Sequence, residues 1–258
     1  MPDIPAHRNQ LARVYPSRRK VLLSTWGLAV GAGTGALTAC GGALGDEANV
    51  RFSNGTVDYS SVDFSVAGSK VVSALANAGA TSNWVTIDSG DNQINLYSAG
   101  SSSAKLSETR KFSEDTYTSV LAYGSLGSSI KLRYIDESNA VPESGVKLRL
   151  LHAAPGLAGV DVYVTNTSSL SGLAPSLSAA SFDTLTDFVA VGADSYRVRI
   201  TSAGNQSNVL FDLPEKVNLV GKSVTTLVIV PRATGSLPNV LALPEKSGAV
   251  LLPNSLAS

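Results

Sequence analysis

Few side chains in this 258-residue chain could carry chemistry. It has one cysteine, Cys40, and two histidines, His7 and His152. Cys40 ends a weakly apolar run and is followed by Gly41-Gly42. Nothing around it resembles a core, so its thiol reads as a site of modification. His152 stands nine residues before Asp161. With the many serines of the chain a Ser-His-Asp arrangement can be drawn, but no Gly-x-Ser-x-Gly elbow presents a nucleophile. One histidine and scattered carboxylates do not make a metal ligand set. Asp88-Ser89-Gly90-Asp91-Asn92 lacks the spaced ligands and terminal Glu of a calcium loop and reads as a hairpin turn. Gly221-Lys222-Ser223 has Lys216 where a phosphate-binding loop needs glycine. Gly31-Ala32-Gly33-Thr34-Gly35-Ala36 matches a dinucleotide-binding spacing, which needs a strand before it and a helix after it, but it lies inside a segment expected to be removed as a signal peptide. No catalytic residue, cofactor or metal is therefore expected.

The elements around Cys40 form an address. Arg8, Arg13, Arg18, Arg19 and Lys20 oppose a single acid, Asp3, in the first twenty residues. An apolar run then extends from Val21 to about Ala36, interrupted by Gly27, Gly31, Gly33 and Gly35. A membrane-spanning helix needs about 20 apolar residues, and each interior glycine costs roughly 1 kcal/mol of helix propensity. A basic segment, a short apolar segment and then small residues predict a cleaved signal peptide over residues 1–39. Leu37-Thr38-Ala39-Cys40 resembles the bacterial lipobox at every position. The resemblance implies cleavage before Cys40, diacylglycerol on its sulfur, an acyl chain such as palmitate on the new N-terminus, and attachment to a membrane. Ser17-Arg18-Arg19-Lys20-Val21-Leu22-Leu23 resembles the twin-arginine export signal, with Arg18 and Arg19 as its pair; Val21 and Leu23 depart from that pattern. Gly41, where inner-membrane retention favours Asp, points to the outer membrane of a Gram-negative cell envelope.

Residues 40–258 carry 15 basic and 19 acidic side chains and no basic cluster, so nucleic acid is excluded as a partner. Apolar residues are too many for a disordered chain. A lone cysteine means that the fold forms without internal disulfides, which suits export of a folded protein.

The chain repeats. Val50–Val66 aligns without a gap on Leu148–Val164, Ile94–Gly100 on Val198–Gly204, and Tyr117–Tyr123 on Val224–Val230, with Trp84 opposite Phe188. The offset grows from 98 to 104 to 107, as loops of unequal length between matched strands require. Alternation at Val62, Phe64, Val66 and at Tyr196, Val198, Ile200 has the period of half-buried strands. Val224–Val230 is apolar almost throughout, as in a strand covered on both faces. Asn54-Gly55, Asp88–Asn92 and Ala203-Gly204-Asn205 are expected turns. Seven or eight short strands per copy predict an all-β chain of two sandwiches. Ser168–Ala180 holds a short helix or an irregular crossover. The expected division is an anchored linker over 40–48, sandwiches over 49–140 and 146–246, and a tail over 247–258.

The pattern Arg149, His152, Ala153, Pro155, Val160, Asp161, Val162, Tyr163, Val164 resembles the bacterial domain-of-unknown-function family numbered 4397. The first copy departs from it at Asn54, Val57 and Phe64. The resemblance implies an extracytoplasmic pair of tandem Ig-like β-sandwiches and brings no activity. The expected function is that of an exported, lipid-anchored, non-catalytic display or binding module with an envelope protein or glycan as partner. The alternative is an envelope enzyme or small-ligand carrier with a site near His152. Asn54 at the equivalent place in copy one favours a structural His152 that caps a turn.

Overall fold

The computed structural model describes residues 46–125, 129–219 and 221–256, and every described element is a strand. Cys40, Arg18, Arg19 and the signal segment lie outside the described residues. The first copy contains β1 (Glu47–Thr56), β2 (Ser61–Val66), β3 (Ser69–Ala76), β4 (Ala80–Thr81), β5 (Val85–Asp88), β6 (Gly90–Ser98), β7 (Ala104–Phe112), β8 (Tyr117–Ser125) and β9 (Ser129–Asp136). The second contains β10 (Val146–His152), β11 (Val160–Thr165), β12 (Leu177–Ala180), β13 (Val189–Val191), β14 (Asp194–Ser202), β15 (Asn205–Leu219), β16 (Ser223–Val230), β17 (Asn239–Pro244) and β18 (Val250–Leu252).

Each copy is a two-sheet sandwich. The first pairs β3-β2-β6-β7 with β4-β1-β8-β9, to which β5 adds on β1; the second pairs β12-β11-β14-β15 with β13-β10-β16-β17-β18. The first strand of each copy runs parallel to its late apolar strand: β1 to β8, and β10 to β16. All other pairs are antiparallel, and the register of the central strands repeats between the copies. Val50 faces Thr118 and Leu148 faces Thr225; Val62 faces Ser98 and Val160 faces Ser202. The drifting alignment offset is thus a physical register.

Alternation decides which core each side chain enters. Phe52, Phe64, Ile94, Leu96, Val120 and Ala122 fill the first sandwich. Leu148, Leu150, Val162, Ile200, Phe211, Leu227 and Ile229 fill the second. The opposite faces of the inner sheets meet in a third core of Leu121, Tyr123, Ile135, Leu151, Val228, Val230, Leu241 and Leu243. Strands β8 and β16 are therefore apolar on both faces because each is covered once by its own sandwich and once by the other. The four sheets stack, and the two sandwiches share a seam.

Three readings change. Asn54-Gly55 is no turn: both residues lie in β1 and pair with Ala122 and Tyr123 of β8. A Cβ on Gly55 would come within 3.3 Å of Val230 Cγ1, so this glycine admits the second sandwich at the seam. Asp88–Asn92 joins no hairpin: Asp88 ends β5, Ser89 alone lies between the strands, and Gly90–Asn92 open β6 on the other sheet, with Asn92 Nδ2 donating to Asp88 O at 2.8 Å. Residues 247–256 are no tail. β18 pairs with β17, Leu252 enters the core, and buried Asn254 donates to Leu210 O and Pro238 O. A three-residue strand is too short to show a period in sequence. The Ser168–Ala180 segment is irregular until the edge strand β12. Ala203-Gly204-Asn205 does close a hairpin, between β14 and β15.

Candidate functional site

The repeated Val-Asp motif fastens loops. Asp63 accepts from Ala74 N at 2.7 Å and Gly100 N at 3.2 Å; Asp161 accepts from Ala179 N and Gly204 N, both at 2.8 Å. Ala74 and Ala179 both have φ of 51°, and the ladders β2–β3 and β11–β12 slip at these points. The aspartate thus supplies the partner that a bulged amide loses from the ladder. The same carboxylate closes the matching Ser-Ala-Gly turns. These amide bonds, together with Lys70 Nζ at 2.6 Å, hold the Asp63 carboxyl below its ordinary range.

His152 is fully buried. Its Nδ1 accepts from Ala154 N at 3.4 Å, so Nε2 carries the proton and donates to Ala158 O at 3.2 Å. Asn54 does the same work: its Oδ1 accepts from Thr56 N and its Nδ2 donates to Leu75 O. Both residues pin the backbone two positions ahead. Burial pushes the His152 imidazole below its usual value. His152 and Asp161 each spend their hydrogen bonds on main-chain groups, so the Ser-His-Asp arrangement is not assembled. Gly221-Lys222 lies between β15 and β16, with Lys222 at φ 61° and its N–H on Gly145 O, and Ser223 opens β16.

The repeated arginine aligns in the sequence, but its setting at the seam is visible only in the fold. Arg51 is 1% exposed, and its guanidinium meets Ser119 Oγ and Glu137 Oε1 at 2.6 Å and Ser247 O at 2.5 Å. It lies 4.5 Å over the Trp84 ring. Burial pulls this guanidinium below its ordinary value and Glu137 opposes the shift. In the second copy Arg149 stacks 4.5 Å over Phe188 and donates to Thr226 Oγ1 at 3.0 Å. Each late carboxylate also reaches across the seam. Glu137 Oε2 accepts from Lys246 N at 2.6 Å, and Glu245 Oε2 accepts from Asn139 N at 3.1 Å. The exchange is reciprocal, so each sandwich caps the loop that leaves the other. The alignment of Trp84 with Phe188 was the available signal; the partner carboxylates follow β9 and β17, beyond the aligned segments.

On the opposite side of the seam Tyr123 donates to Asp183, which also receives Lys131 Nζ at 2.6 Å. Phe182 then packs between Tyr123 and His152, with centroids 6.0 and 6.2 Å away. Among the described residues no group of three or more His, Cys, Asp or Glu is placed to hold a metal ion. No described helix is long and apolar enough to cross a membrane, which leaves strands untested.

This geometry defines a class: a tandem pair of β-sandwiches built on one duplicated motif. The profile titled "Domain of unknown function (DUF4397)" matches residues 48–163 and 146–250, nearly all of the described fold, and the chain belongs to that family. The two matches overlap across β10 and β11, the strands that carry the Arg-His-Val-Asp motif. No curated protein matches. Among solved structures, the chain is similar to a family 26 carbohydrate-binding module from Eubacterium rectale crystallised with maltoheptaose. That match has 13% identity and a TM-score of 0.24, and covers 78% of this chain and 97% of the module.

Proposed function

We propose that this protein is exported, lipidated on Cys40 and held at the cell envelope as a non-catalytic binding or display module. The observation that carries the reading is the complete lipobox Leu37-Thr38-Ala39-Cys40 at the end of a basic-then-apolar leader, a few residues before β1 begins at Glu47. Three acyl chains on one residue make an effectively permanent anchor, since each buried methylene contributes about 0.8 kcal/mol. The pair Arg18-Arg19 supports export of an already folded body, which suits a β fold whose parallel β1–β8 and β10–β16 pairings join distant segments. Gly41 supports delivery to an outer membrane. The non-catalytic reading rests on His152 and Asp161 being committed to backbone groups. The partner is an envelope protein or glycan.

Labelling with radioactive palmitate tests the anchor. Label should enter the wild type and be lost in Cys40→Ser, while Arg18→Lys with Arg19→Lys should leave an unprocessed precursor. Label retained by Cys40→Ser, or normal maturation of the double lysine variant, would remove the corresponding part of the proposal.

A further inference from the structure

The two sandwiches differ at one end. In the first, Phe112 is buried, Tyr134 packs on it edge to face at 6.4 Å, and the Arg110 guanidinium lies 4.7 Å over the Tyr134 ring. The three side chains plug the space between the sheets. Register identifies their counterparts in the second. Tyr134 faces Val120 as Ala242 faces Leu227; Phe112 faces Gly90 as Leu219 faces Asp194; Arg110 faces Asn92 as Val217 faces Tyr196. All three are smaller, and a cavity of about 370 Å³ opens there.

Its walls are aliphatic: Leu148, Val164, Val198, Leu227, Ala242 and Leu252. An apolar cavity of roughly 150 Å³ stays dry and takes benzene, and ligand sites run from about 300 to 1,000 Å³. A sugar is a poor occupant, because each hydroxyl placed against these walls would lose a hydrogen bond at a cost of about 1–3 kcal/mol. Asn218, Ser223, Glu245 and Ser247 line the rim, where a polar head would sit. The lining holds no cationic side chain to pair with an anionic head, and its one acid is Glu245.

We propose that the second sandwich binds a single aliphatic chain bearing an uncharged or cationic head, its hydrocarbon among Leu148, Val198, Leu227 and Leu252 and its head at the rim. This does not depend on how the chain is anchored. The test is calorimetric titration of the full chain carrying Cys40→Ser, so that no acyl group of its own competes, with monolauroylglycerol below its micellar concentration. Saturable binding is expected. Ala242→Phe, which restores an aromatic ring at the plugged position, should weaken it at least tenfold while the melt shows a folded protein. Absent binding, or equal affinity in folded Ala242→Phe, would overturn the proposal. If that variant fails to fold, methyl NMR of the Cys40→Ser chain decides. Ligand-induced shifts should fall on Leu148, Val198, Leu227 and Leu252. Shifts at Val50, Ile94 and Val120 of the first sandwich, or none, would contradict it.

Discussion

The two sandwiches share the order of their central strands and the same aspartate-fastened turns, yet they spend their shared positions differently. Arg51 is sealed against Glu137, whereas Arg149 is half-buried and donates to a hydroxyl. Asn54 holds the backbone amide two positions ahead with a side-chain amide, and His152 holds its counterpart with an imidazole. Tyr134 fills one end of a core and Ala242 leaves the matching end open. Duplication fixed the backbone; the differences lie in side chains at the seam and at the mouth of the second core. Positions that look alike in both copies are therefore scaffold, and a distinctive function belongs where they diverge.

The largest expected effect separates the two arginines. Removing one partner of a buried ion pair leaves an uncompensated charge and costs about 3–5 kcal/mol. Arg51→Ala should destabilise by that amount in denaturant melts, and Arg149→Ala by only about 1 kcal/mol, the worth of one hydrogen bond. Equal losses would mean that the seam does not distinguish the copies. Next come the motif aspartates. Asp161→Ala strands two amides, and about 2–3 kcal/mol should be lost; Asp63→Ala should cost at least as much, since Lys70 also loses its partner. A silent Asp161→Ala would break the claim that the motif is scaffold.

Smaller effects sharpen the comparison at the cap. His152→Ala should cost about 1 kcal/mol, while His152→Asn, which installs the residue of the first copy, should be nearly silent. The unfolded chain protonates His152 near pH 6.5, whereas burial keeps the folded imidazole neutral to lower pH. Protons therefore favour unfolding, and stability should decline as pH falls below about 6.5. His152→Asn should flatten that part of the profile and leave the acid limb near pH 3.8 and below, where Asp63 takes up its proton. An unchanged profile would show that His152 does not titrate with folding. The smallest effect is on the connection. Limited proteolysis should cut within 140–145, where most side chains are exposed and no strand runs. Because the halves share a core, they should still co-elute in size exclusion; fragments that separate would contradict the seam.

Much of the fold is legible in the sequence because period-two alternation reports a half-buried strand directly, as at Val62–Val66, and the drifting repeat reports strand order. The seam is not. The Val224–Val230 run says that two faces are covered, but a strand reads the same whether its second cover comes from its own domain or a neighbour. Asn54-Gly55 misleads because a glycine chosen for close approach has the same letter as one chosen for a turn. The cavity rests on three substitutions on two strands, β15 and β17, that only the register brings together. His152 could be read correctly, since its sister position holds Asn54 and both can cap a turn.

The most direct test of the account is intact mass spectrometry of the protein extracted from its host membrane. The expected chain begins at Cys40, carries diacylglycerol on that sulfur and an acyl group on its amine, and retains nothing of residues 1–39. A chain that starts elsewhere, or an unmodified Cys40 in a membrane-free fraction, would contradict it.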